Sequence, residues 1–64
     1  MTQKLIINGM DYGTVTMYRQ RRDGVFPTWD FMMAGTGIIV SVPMFTVQSF
    51  TSDSDLVITT LKLD

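Results

Sequence analysis

A chain of 64 residues with a formal charge of −1 makes one domain at most. Five basic residues (Lys4, Arg19, Arg21, Arg22, Lys62) stand against six Asp and no Glu. His and Cys are absent. That excludes the usual zinc ligands, a thiolate nucleophile, a disulfide and the common general base of neutral pH.

Chains this short bury too little surface to offset the entropy of ordering themselves comfortably. They usually rely on a disulfide, a metal or a partner. With cysteine missing and metal ligands poor, a partner chain is the expected staple. Val, Ile, Thr, Phe, Tyr and Trp supply 27 residues, whereas Ala, Leu and Glu together supply five. β-Branched and aromatic residues favour strands, and strong helix formers are scarce. The expected fold is all-β: residues 1–64 as a single-domain antiparallel barrel or compact sandwich of about five short strands.

The first predicted strand covers residues 3–8, centred on Leu5, Ile6 and Ile7. Residues 9–13, with glycine at both ends, read as a turn. The second strand covers residues 14–20 and alternates, with Val15, Met17 and Arg19 on one face and Thr14, Thr16, Tyr18 and Gln20 on the other. Asp23-Gly24 then predicts a type I′ hairpin, which needs two residues at positive φ. Gly24→Val is accordingly expected to destabilise the chain.

The third strand is predicted over residues 25–33. Val25, Pro27, Trp29, Phe31 and Met33 share one face; Phe26, Thr28, Asp30 and Met32 share the other. Pro27 cannot donate to a ladder, which marks an edge or a bulge there. Residues 34–37 form the next turn. A fourth strand starts at Ile38 and runs toward Phe50. Ile38, Val40 and Val42 share a face before Pro43, and Phe45 and Val47 take the opposite parity after it. A phase change at a proline predicts a bend that passes the chain to a new sheet partner. The competing prediction is a short helix over residues 43–50, capped by Ser41. Residues 51–55 are a polar loop, and the last strand covers residues 56–63.

No apolar run approaches the ~20 residues of a transmembrane helix, and the N-terminus lacks the pattern of a signal peptide. Synthesis in the cytoplasm is expected, with no membrane partner. Asp53-Ser54-Asp55 resembles the start of a calcium loop, but its sixth position is Ile58, not glycine. Gly35-x-Gly37 lacks the third glycine and following helix of a dinucleotide loop. Neither metal nor cofactor is expected. Asp pairs could serve acid–base chemistry, but so small a chain has little room for a pocket, and no enzyme is expected.

Two features point outward. Arg19, Arg21 and Arg22 cluster at a predicted hairpin tip. There they could fork onto phosphate or carboxylate, with Tyr18 and Trp29 near enough to stack on bases. Against that, a net charge of −1 is a thin footprint for nucleic acid, and a solvated tip explains the cluster too. Arg21→Glu combined with Arg22→Glu is expected to leave the fold intact. The second feature is the apolar excess: Met10, Met17, Met32, Met33, Met44, Trp29 and four Phe, with apolar residues on both parities of several strands. One face serves the core and the other suits a partner.

The predicted partner-binding residues are therefore Trp29, Phe31, Met32, Met33, Arg19, Arg21 and Arg22. Trp29 is expected to face another chain from an edge strand. The sequence is best read as a non-enzymatic structural or interaction subunit of a homo-oligomer or of an assembly with other protein subunits. The most concrete form is a virion accessory protein for capsid decoration, head completion or tail. The alternative is a small binding module that inhibits a host enzyme or holds nucleic acid through the arginine tip.

Overall fold

The computed structural model describes residues 2–61 and is all-β, as the composition predicts. The strands are β1 (Gln3–Ile7), β2 (Met10–Arg21), β3 (Thr28–Met33), β4 (Ile39–Pro43), β5 (Val47–Ser52) and β6 (Leu56–Thr60). They form one sheet in the order β4-β3-β2-β1-β6-β5. Every neighbouring pair is antiparallel except β1 with β6, which run parallel.

There are six strands, not five, because the long fourth segment divides at Pro43. A single 3-10 turn, Met44–Thr46, follows the proline. The chain then leaves β3 and pairs with β6. This is the bend that the parity change predicts; of the competing helix only that one turn exists. The turn is fastened on both sides: Met44 N–H donates to the Pro27 carbonyl at 3.0 Å, and Leu61 N–H donates to the Thr46 carbonyl at 2.7 Å. The sheet thus coils until its two edge strands meet end to end at this corner, with no ladder between them to close a barrel.

The hairpin chemistry is not where Asp23-Gly24 predicts it. Asn8 and Gly9 sit at φ +50° and +83°, between the paired residues Ile7 and Met10. Two positive φ values in a two-residue loop are the type I′ requirement, and Asn-Gly is its strongest signal. Asn8 also ties β6 to β1. Its N–H donates to the Ile58 carbonyl, its Oδ1 accepts Thr60 N–H at 2.9 Å, and its Nδ2 donates to Thr60 Oγ1 at 2.7 Å. By contrast, β2 and β3 are joined by a wide loop over residues 22–27, and Gly24 is not at positive φ. A Cβ at Gly24 would meet only the Phe26 carbonyl, at an ordinary 3.8 Å. Gly9→Val is therefore expected to lower stability by about 1–3 kcal/mol through backbone strain. Gly24→Val is expected to stay within about 0.5 kcal/mol of wild type. Thermal unfolding of the two variants side by side checks this reversal.

The third strand is also shorter than predicted. Val25 is 100% exposed and, with Phe26 and Pro27, belongs to the loop. Pro27 thus marks no edge: β3 is central, flanked by β2 and β4.

The core comprises Leu5, Val15, Phe31, Met33, Val42, Leu56 and Ile58, with Ile7, Trp29, Val40, Val47 and Phe50 packed against it. Two register shifts place residues of opposite parity on this inner face. One lies between Val15 and Met17, so Val15 and Tyr18 both point inward while Met17 and Arg19 turn out. The other lies between Val47 and Ser49 and lets both Val47 and Phe50 reach the core. Part of the apolar content on both parities therefore serves the chain itself. Leu63 of the predicted last strand lies outside the described residues.

Candidate functional site

The outer face of β2, β3 and β4 is ordered by its register into three rows. Met17, Met32 and Ile39 stand side by side in the first; Arg19, Asp30 and Ser41 in the second; Arg21, Thr28 and Pro43 in the third. Directly opposed side chains in a sheet have Cβ atoms about 4.5–5.5 Å apart, so each row forms a contact strip across three strands. The first row is apolar and open: Met17 is 60% exposed and Ile39 54%. Between the first and second rows lies a shallow hollow of about 270 Å³, lined by Met17, Tyr18, Arg19, Asp30, Met32 and Ile39.

Asp30 organises the polar rows. Its Oδ1 accepts Thr28 Oγ1 at 2.8 Å and Ser41 Oγ at 2.9 Å. Its Oδ2 lies 3.1 Å from Arg21 Nε. Three adjacent strands thus converge on one carboxylate. The Thr28 hydroxyl does most to hold the Asp30 carboxyl below its ordinary pKa, aided by Ser41 and by the Arg21 and Arg19 charges, while burial pushes the other way. Hydrogen bonds and cations that favour the charged form outweigh the desolvation that disfavours it.

The predicted site residues divide. Arg19, Arg21 and Met32 come together on this outer face. Phe31 and Met33 do not: Phe31 is 0% exposed and both belong to the core, so neither offers surface to a partner. Trp29 also points inward. Its ring lies 4.7 Å from Phe50, centroid to centroid, and close to Tyr18 and Phe31. Its expected outward direction rested on an edge position that β3 does not have. Arg22 folds back, its Nη2 donating to Gln20 Oε1 at 2.9 Å. Met17, Ile39, Asp30, Thr28 and Ser41 are the members that sequence reading missed. The alternation already placed Thr28, Asp30 and Met32 on one face; only the register shows what stands beside them.

Arg21 is thus an internal partner of Asp30 as well as a surface charge. Arg21→Glu is expected to lower stability by about 1–2 kcal/mol, since it removes a charged hydrogen bond and sets a like charge beside Asp30. Arg22→Glu, whose only described bond is to exposed Gln20, is expected to change stability by less than about 0.5 kcal/mol. Urea unfolding of the single variants separates them.

The chain exposes 4592 Å², somewhat more than the roughly 4,100 Å² typical of a monomer of this mass. Compared with protein-family models, with curated proteins and with solved structures, the chain matches none.

Proposed function

We propose that this chain is a non-enzymatic structural subunit that works by protein contact, one copy in a larger oligomeric assembly. The observation that carries this reading is the open apolar row Met17, Met32 and Ile39. Contiguous apolar surface on a small chain marks an interface. Methionines in it adapt to an irregular partner, and the Arg19 row beside it supplies a polar rim. Binding would proceed by burial of apolar β surface.

The most concrete form we propose is an accessory subunit of a virion, made in the cytoplasm and acting in capsid decoration, head completion or the tail. Small size, β content and adhesive surface support it. The arginine tip supports a nucleic-acid role less well, because Arg21 bonds Asp30 and Arg22 bonds Gln20.

The test is sedimentation of wild type and Met17→Lys at low and at molar salt. Apolar contact predicts association that survives salt in the wild type and is lost in Met17→Lys without change in the far-UV CD. Nucleic-acid affinity that falls steeply with salt, with no self-association, would favour the arginine tip instead.

A further inference from the structure

Resting on the assembly-subunit reading above, we propose that the partner at the β4 edge is a second copy of this chain, paired β4 to β4 in antiparallel fashion with the two-fold axis at Val40. β4 ends the sheet, with β3 on one side and no strand paired on the other among the described residues. Antiparallel ladders alternate between pairs that exchange both backbone hydrogen bonds and pairs that exchange none. Met33 N–H donates to the Ile38 carbonyl at 2.8 Å, which fixes the phase: Phe31 with Val40 and Trp29 with Val42 are the bonded pairs. The N–H and C=O groups of Ile39 and Ser41 therefore point away from β3 along the open edge.

Apart from Pro43 at its end, this edge lacks the charges that usually protect one. Natural edge strands carry charges, especially Lys, that deter pairing. Residues 31–52 contain no charged side chain at all. β4 joins that neutrality to high β propensity and to exposed Ile38 and Ile39, a combination that drives strand pairing if left uncovered. β5 is equally uncharged, but its exposed residues Gln48, Ser49, Thr51 and Ser52 are all polar. Pairing β4 with β5 of another copy would set Ile39 among polar residues alone; pairing β4 with itself brings two copies of Ile39 onto one face, within diagonal reach of each other. An isologous contact of this kind closes into a two-fold dimer.

The register follows from the groups available. Centring the pair on Val40 sets Ile39 opposite Ser41 of the partner subunit and uses every outward N–H and C=O of both residues on both copies. Shifting the axis to Ser41 would set Ile39 opposite a proline, which has no N–H. Shifting it to Ile39 would call on Gly37, whose N–H already donates to the Met33 carbonyl. Pro43 and Gly37 thus bound the ladder. Across the axis the outer side chain of Ile39 lies diagonal to its symmetry mate, about 7–8 Å away and within reach.

The chain has no cysteine, so single cysteines report geometry directly. The two Val40 positions form a non-bonded pair, with Cβ atoms about 4.5 Å apart and near disulfide range. On mild oxidation, Val40→Cys is expected to give a linked species of doubled mass on a non-reducing gel, and Thr51→Cys on β5 is expected not to. Ile39→Lys is expected to lose the association while keeping native far-UV CD; if it fails to fold, the cysteine pair still decides. An associated wild type in which Val40→Cys does not link, or links no better than Thr51→Cys, overturns the β4 pairing but leaves the assembly reading standing. A wild type that sediments as a monomer at every concentration overturns both.

Discussion

Phe31→Ala is expected to unfold the chain. Phe31 is fully buried and stacks within about 6 Å of Tyr18 and Phe50. Truncating a buried Phe costs about 3–5 kcal/mol. A domain this size has only about 3–10 kcal/mol in total at ordinary stability per residue. Trp29→Ala is expected to lose less, about 2–3 kcal/mol, because Trp29 is only half-buried and its site partly reopens to water. Its loss is nonetheless one of folding. Tyr18, Trp29, Phe31 and Phe50 form the aromatic contact by which β5 is held against β2 and β3 across the interior, since β5 pairs with neither. Far-UV CD melts combined with sedimentation check both variants. A Trp29→Ala protein with an unchanged melting temperature and a smaller particle would mean that Trp29 faces another chain after all.

Asp30→Ala is expected to lower stability by about 2–3 kcal/mol, the range for removing hydrogen bonds to a charged group and leaving their partners unmatched. Asp30→Asn keeps the shape and one acceptor and should lose less. The pH dependence follows from the same contacts. The Asp30 pKa in the folded chain lies below its ordinary value of 3.8, so the unfolded chain binds this proton more readily. Stability then rises with pH between the lowered folded value and the ordinary one. It is fully present above the ordinary value and is lost as pH falls through the folded value. Urea midpoints over an acid series should show wild type and Asp30→Asn converging as the pH drops. Parallel curves for the two proteins would mean that the charge on Asp30 contributes nothing.

How far these features were legible in the sequence differs by position. The bend at Pro43 was legible because it leaves a local mark: apolar parity reverses across a residue that cannot donate to a ladder. The Asn8-Gly9 turn carries an equally local mark, but grouping Gly9 with Gly13 hid it. Asp23-Gly24 carries the same kind of dipeptide in a loop too wide to need positive φ. The bulges after Val15 and Val47 leave no mark in composition. They exist because two partners of unequal spacing must be matched, and they decide which way Met17 and Tyr18 face. Asp30 was invisible as a hub for the same reason. Thr28 is two residues away in sequence, but Arg21 and Ser41 become its neighbours only through the registers of two separate strand pairs.

The exposed row Met17, Met32 and Ile39 and the uncharged β4 edge both bear on one physical quantity, the mass of the native particle. Native mass spectrometry of the wild-type chain, over a range of concentrations and beside Ile39→Lys, measures it most directly. The expected result is an even-numbered assembly for the wild type and a folded monomer for Ile39→Lys. A wild type found only as a monomer, with Ile39→Lys indistinguishable from it, would contradict the account.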